Sequence, residues 1–380
     1  MTEQPVTIPT HRKILYLAVI MIVLLAVCEV GLRARQWMRY GSFAASVRDP
    51  MLEYDSNADL LVPRPGYEVK GARLNIKINS FGFRGDDFDR MKPPHTVRIA
   101  ALGASTTFCA EVSDNHKTWP YRLQEKLSAA YPGVRFEVIN TAVGGYTAAE
   151  NLRNLTHRVL PLDPDLALYY EGNNEITKDT RQLALDRGLI ARGNPQSLAR
   201  TISNYSLLFD LTYKNLTILA GRRNAVAVRT LDSVPSDLPS HFIGQLDEMR
   251  RTLAARDIPL VLSTFIVKFR RNQPRPTQLA NADVEFYYMP WMSIDGMLDA
   301  MDTYNQAILD YAARNSLPVV DDREAVSPDA EHFSDAMHFL DKGAEAMADR
   351  FFKYLRTSNE LQHAIAKARA VDAAQASITR

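Results

Sequence analysis

Cysteine is almost missing from this 380-residue chain: only Cys28 and Cys109 are present, one inside an apolar segment and the other far from it. Two such residues make no disulfide framework, so cysteine usage does not report the compartment. There is no Cys-x-x-Cys pair, no Cys/His cluster, and no His-Glu-x-x-His spacing among the eight histidines. No metal centre is expected from such a set, and no cofactor. Net charge is missing too. Lys and Arg number 45 against 44 Asp and Glu, for a formal charge of +1, and the arginines are scattered. Nucleic-acid binding needs a basic face, so that class of partner is not expected. What the chain does have is apolar residues, at 46%. Its length suits one large domain with extensions, or two domains, with a full core.

The longest uninterrupted apolar run is Ile14 to Val27, preceded by a short tail, residues 1–13, that ends in Arg12-Lys13. Continued through Leu32, the segment 14–32 has about the 19–20 residues that cross a bilayer. Glu29 is its one charge and lies near its end. Four readings compete. The preferred one is a single membrane-spanning signal anchor. A cleaved signal peptide would need a small-x-small site, which does not follow clearly. A lipoprotein signal would end at Cys28, but Val27 stands where a small residue is expected. A buried soluble helix is the fourth. The side of the membrane is not fixed by charge. Arg33, Arg35 and Arg39 after the segment argue for a cytoplasmic domain, and the first basic pair argues for the opposite. The expectation carried forward is a single-pass membrane protein with its large domain outside the cytoplasm.

Residues 33–95 contain short alternating pieces and turn formers, read as a juxtamembrane segment and small β extension. Arg73–Asn79 alternates as a half-buried strand would, and Ser80–Gly85 reads as a glycine turn. Lys92-Pro93-Pro94 marks a boundary. From there strands and helices alternate. Apolar runs at Val97–Leu102, Phe136–Asn140, Leu166–Tyr170, Leu260–Thr264 and Leu317–Asp321 read as strands. Helical spacing covers Thr118–Tyr131, Ala148–Val159, His241–Arg256, Gly296–Asn315 and Asp341–Tyr354. Five strands separated by helices predict a parallel sheet covered on both faces, within a domain at 96–356. Residues 176–239 interrupt the alternation as an insertion that either caps a site or packs on the side. Tyr287, Tyr288 and Trp291 lie in an irregular stretch and either line a cleft or fill a loop core. Residues 357–380 read as a tail, a surface helix or partly disordered.

Ligands of such sheets bind beyond the carboxyl ends of the strands. Four stretches at those ends, or in a late loop that can reach them, carry complementary groups. Ser105 follows the first strand in Gly103-Ala104-Ser105, Gly144-Gly145 follows the second, and Gly172-Asn173-Asn174-Glu175 follows the third. Asp335-Ala336-Met337-His338 precedes the last helix. Taken singly, Ser105 is a helix cap, the glycines a turn, the asparagines a loop cap, and Asp335 with His338 a helix start. Taken together they supply acyl transfer. A serine hydroxyl needs a base, for which His338 has the right pKa range. Asp335 can orient that base. The N–H groups of Ser105 and Gly145 and the Asn174 amide can stabilise an oxyanion.

These four blocks resemble those of the SGNH/GDSL hydrolase family, over about Val97 to Leu355. The letters of SGNH fall on Ser105, Gly145, Asn174 and His338, and Gly343 follows His338 by five residues. Asn79-Ser-x-Gly-x-Arg-Gly85, with the N-terminal apolar segment, is similar to membrane-anchored bacterial members. Ala104 replaces the Asp of Gly-Asp-Ser, and Glu175 replaces the Asp of Gly-x-Asn-Asp. The resemblance implies a three-layer α/β/α flavodoxin-like domain and an acyl-serine intermediate with Ser105, Asp335 and His338 as triad. The expected activity is hydrolysis of carboxylic esters, such as O-acetyl or acyl groups on glycans or lipids. An O-acyltransferase would use the same residues, and a glycan-binding module on an inactive scaffold is the third reading. The expected partners are an ester substrate and, through the N-terminal helix, a lipid bilayer.

Overall fold

In a computed structural model of the chain, the described residues are 9–40, 51–191, 198–203, 205–224 and 230–378. Helix α1, Thr10–Tyr40, carries the apolar run. It is long and apolar enough to cross a membrane, and among the described residues nothing buries its apolar span. Two small antiparallel hairpins follow: β1 (Leu52–Asp55) with β2 (Leu60–Pro63), and β3 (Glu68–Lys70) with β4 (Asn75–Lys77). The strand expected over Arg73–Asn79 contracts to β4, where only Ile76 is buried between two exposed neighbours.

The main sheet begins at β5, Thr96–Gly103, whose eight residues are all buried. Burial on both faces explains why the run is continuous rather than alternating. A one-turn helix, α2 (Ser105–Phe108), follows at once, then α3 (Trp119–Ala130), which stops before Pro132-Gly133. Next come β6 (Arg135–Asn140), α4 (Ala148–Asn154) and β7 (Leu166–Tyr170). The helix expected to run to Val159 changes at Leu155 into a wider π turn, ending in a 3-10 turn that contains Pro161. Proline lacks the N–H that a regular helix requires there.

Helix α5 (Asn173–Asp186) leads from the end of β7 into the insertion, which adds α6 (Leu198–Ser203) and α7 (Leu207–Asn224). Then α8 (Ser240–Ala254) leads to β8 (Leu260–Ser263). Short helices α9 (Arg275–Asn281) and α10 (Glu285–Tyr288) precede α11, Ile294–Arg314. Strand β9 is reduced to Val319–Val320, because Pro318 has no N–H for the ladder. The chain ends with α12 (Asp341–Leu355) and α13 (Asn359–Ile378). Leu361, Ala364, Ile365 and Ala368 of α13 are buried in the main core.

The five strands are parallel in the order β6-β5-β7-β8-β9. Helices α3 and α12 pack together on one face; α4, α5, α8 and α11 form the other layer. This is a three-layer, flavodoxin-like arrangement. The chain leaves β5 leftward to β6 and then returns rightward to β7. That reversal opens a crevice at the carboxyl ends of β5, β6 and β7.

Candidate active site

The turn after β5 is forced by its glycine. A Cβ on Gly103 would stand 2.3 Å from both the Thr107 hydroxyl and the Tyr170 carbonyl oxygen. Glycine lets the strand end pass close to β7, where Gly103 pairs with Tyr170. The Asn151 side chain of α4 accepts from the Gly103 N–H at 3.0 Å and holds the strand end. Ser105 is then the first residue of α2, and Ala104 occupies the cap position without a side-chain cap. The helix-cap reading of Ser105 is therefore replaced. Its hydroxyl is occupied elsewhere, and as a first-turn residue its N–H has no acceptor within the helix.

The partner of that hydroxyl is His338. Ser105 Oγ lies 2.8 Å from His338 Nε2. On the other side of the ring, Nδ1 lies 2.8 Å from Asp335 Oδ2. The second carboxylate oxygen, Oδ1, accepts the N–H groups of Met337 and His338, each at 2.9 Å. Asp335 thus folds its own loop and aims the ring with one carboxylate. The loop is fixed by a bridge between Phe333 and Phe339 and by the Lys268 N–H, which donates to the Ala336 carbonyl at 2.8 Å.

Electrostatics follow from this contact. Burial alone would push the Asp335 carboxyl up, but the His338 hydrogen bond and charge and the two backbone N–H groups outweigh it. The net pKa lies below the ordinary carboxylate range. For His338, burial pulls downward, yet the bond and charge of Asp335 prevail and raise it above 6.5. Glu111 raises it further and Lys214 opposes.

Gly145 and Asn174 approach from the neighbouring loops. Gly145 has φ +84°, which permits the tight turn after β6. A Cβ on Gly144 would be 3.9 Å from the Ser105 Cβ, so this loop runs beside the serine. Asn174 Nδ2 donates to the Tyr146 carbonyl at 3.0 Å, which ties α5 to the same loop and leaves its second N–H. Its neighbour Glu175 accepts from the Ala148 N–H at 2.5 Å. Glu175 therefore joins the loop to α5 a second time. Ser105, His338 and Asp335 are thus in direct hydrogen-bonded contact, and the Gly144-Gly145 loop, tied to Asn174, runs beside the serine.

Several nearby groups carry no sequence signal of a role. Glu285 on α10 is fully buried, and neither carboxyl oxygen has a partner at hydrogen-bond geometry among the described residues. Burial, then the charge of Asp335, pushes it up to about 8, although the adjacent Asn173 amide opposes. Glu171 is also buried and raised well above its ordinary value by burial and then by Glu175. Only contact across elements reveals such groups. Of the aromatics in the irregular stretch, Trp291 is buried and donates to the Thr180 hydroxyl at 3.2 Å, so it fills the core. Tyr288 stays exposed, against the Tyr287 ring and under Lys214. A second Asp-x-x-His, Asp329 to His332, makes its own pair at 2.7 Å without reaching the serine. Among the described residues no cluster of His, Cys, Asp and Glu could hold a metal ion.

Residues 101–346 match the model of the GDSL-like Lipase/Acylhydrolase family. No curated protein matches the chain. Among solved structures, a putative lipolytic protein of the G-D-S-L family from Desulfitobacterium hafniense is 13% identical. That match covers 68% of this chain and 99% of the other, with a TM-score of 0.40. An α/β hydrolase enzyme from the metagenome of Lake Arreo is 15% identical over 70% of this chain and 95% of that one, with a TM-score of 0.42. A catalytic mutant of an acetylxylan esterase from Geobacillus stearothermophilus is 12% identical over 70% and 94%, with a TM-score of 0.42.

Proposed function

The chain belongs to the GDSL-like Lipase/Acylhydrolase family and is an ester hydrolase; on that premise we propose that it cleaves carboxylic esters through an acyl-Ser105 intermediate. The observation that carries this reading is the pair of hydrogen bonds on the two sides of one imidazole, Ser105 Oγ to His338 Nε2 and His338 Nδ1 to Asp335 Oδ2, each 2.8 Å. In the reading, His338 takes the serine proton as Oγ attacks the ester carbonyl carbon. Asp335 holds the proton on Nδ1 and stabilises the imidazolium. The carbonyl oxygen becomes an anion facing the Ser105 and Gly145 N–H groups and the Asn174 amide. When the C–O bond breaks, His338 returns the proton to the leaving alkoxide. Water, activated by the same histidine, then attacks the acyl carbon and releases the acid and the free serine.

The proposed substrates are acyl or O-acetyl esters of glycans or lipids in the cell envelope. The proposed placement is a single-pass anchor through α1 with the domain outside the cytoplasm. Support for both is the apolar helix, which would hold the crevice beside envelope material. A fluorophosphonate probe and p-nitrophenyl acetate test the mechanism. Ser105→Ala should lose probe labelling and fall in kcat by about 10³-fold or more. An S105A protein with wild-type turnover would overturn it. A set of acyl donors of increasing chain length, with products analysed for free acid against acylated glycan, tests substrate and hydrolysis together.

A further inference from the structure

Helix α1 does not stand apart from the catalytic domain. Glu29, near the end of its apolar run, is bonded to the start of α7. Its carboxylate accepts the Leu207 N–H at 2.9 Å, the Leu208 N–H at 2.8 Å and the Ser206 hydroxyl at 3.0 Å. Arg33, one turn later, bonds the same carboxylate at 2.6 Å and donates to the Tyr205 carbonyl at 2.8 Å. A carboxylate at a helix N-terminus satisfies its free N–H groups and its dipole. The capping residue here comes from a helix more than 170 positions earlier in the chain, so α7 is pinned where the apolar run of α1 ends.

From that point α7 runs toward the crevice. Lys214 lies over the rings of Tyr287 and Tyr288, with 5.5 Å and 5.8 Å to the ring centres. Its charge is felt at His338. While Lys214 faces α10, the adjoining side of α7 is left uncovered. Tyr213, Leu216 and Leu219 recur every third residue, as one helix stripe does, and all three are exposed, Leu216 by 60%. Ile202 and Tyr205, exposed by 37% and 78%, extend the patch toward α1. Beyond α1 and this patch with its neighbour Tyr288, the large apolar residues exposed among the described ones are Tyr54, Leu61 and Met91. Five of the nine large apolar residues exposed outside α1 among the described ones thus lie on α6, α7 and the turn between them, which is bonded to Glu29 and Arg33 of α1.

We infer that the α6–α7 face lies on the surface of the bilayer that α1 crosses, and so holds the catalytic crevice at the lipid interface. The occupant is lipid, because the patch is continuous with the uncovered apolar span of α1 and pinned to its end. Tyrosine and leucine on a helix lying in the interface plane fit that position. The inference rests on the anchor reading of α1, and one experiment separates the two. The full-length chain, with Cys28→Ser and Cys109 left buried, receives a single environment-sensitive NBD label at Ile20→Cys, Leu216→Cys, Leu219→Cys or Met91→Cys. Each protein is reconstituted into phosphatidylcholine/phosphatidylglycerol vesicles with and without brominated acyl chains. Bromolipid should quench positions 20, 216 and 219 and leave position 91 unchanged. Quenching at 20 without quenching at 216 and 219 would overturn the surface while keeping the anchor. No quenching at 20 would overturn the anchor and the surface with it. Bismaleimide cross-linking of two L216C copies without quenching would assign the patch to a second copy and also overturn the inference.

Discussion

His338 titrates as the sum of opposed effects, and its neighbours make that sum testable. Burial lowers its pKa and Asp335 raises it more, so the net value is above 6.5. Only the neutral ring can accept the Ser105 proton. The acid limb of kcat/KM should accordingly have its midpoint above pH 6.5. Asp335→Asn should move that midpoint to lower pH and reduce kcat by about 10²–10⁴-fold, because the raising partner and the tautomer lock are both lost. A pH–rate profile of both proteins checks the pair. Glu285 offers a test of stability. Its folded pKa is about 8 and its ordinary value 4.5. The folded protein keeps a proton that the unfolded chain releases between those values. Stability from this group is thus fully present below pH 4.5 and is lost as pH rises through about 8. Unfolding free energies from urea titrations at pH 5 and pH 8 should show a fall in wild type that Glu285→Gln reduces by at least about 1 kcal/mol.

At the scale of elements, the short helix α2 depends on a residue from the small β extension. Arg84 is buried and donates to the carbonyls of Phe108, Cys109 and Val112, at 3.1, 2.5 and 3.0 Å, and to the Asn115 side chain at 3.0 Å. These are the carbonyls at and just beyond the end of α2, where the chain turns through Cys109 at φ +62°. The arginine of Asn-Ser-x-Gly-x-Arg-Gly is thus the clamp on the turn that presents Ser105. Arg84→Met should cost roughly 3 kcal/mol in urea unfolding, since several buried carbonyls lose a charged donor together. Gly103→Ala attacks the other end of the same turn. Its Cβ would overlap the Thr107 hydroxyl and the Tyr170 carbonyl oxygen. It should lower soluble yield and thermal midpoint, with activity lost ahead of bulk secondary structure by circular dichroism.

For the whole molecule, the C-terminal helix bears on the core more than its composition suggests. Leu361 and Ile365 of α13 are 0% and 3% exposed. Ending the chain after Ser358 removes both from the core. It should destabilise the fold by roughly 4 kcal/mol, at about 2 kcal/mol for each large side chain, read from the urea midpoint. A surface location for this segment is what an alanine-rich sequence suggests. The spacing of four between Leu361 and Ile365 is too short a signal to say which face is buried, or against what.

The elements themselves were legible because their signals are local. A strand such as Leu166–Tyr170, buried on both faces, must be apolar throughout, and the sequence alone determined it to the residue. The five-strand order of alternation, the apolar α1 and the helix start at Asp341 were legible for the same reason. Convergence was not, because it depends on which strands lie side by side. Ser105 in its own context is a helix cap, and Asp329–His332 has the same spacing as Asp335–His338. Only the tertiary structure distinguishes them. The crossover that brings β7 beside β5 sets the crevice, and the loop after β9 delivers His338 Nε2 to 2.8 Å from Ser105 Oγ. The clamp by Arg84 and the cap by Glu29 are equally nonlocal, since each buried polar group finds its partner only after distant segments have packed. Local periodicity determined the parts, and long-range packing decided which polar groups meet.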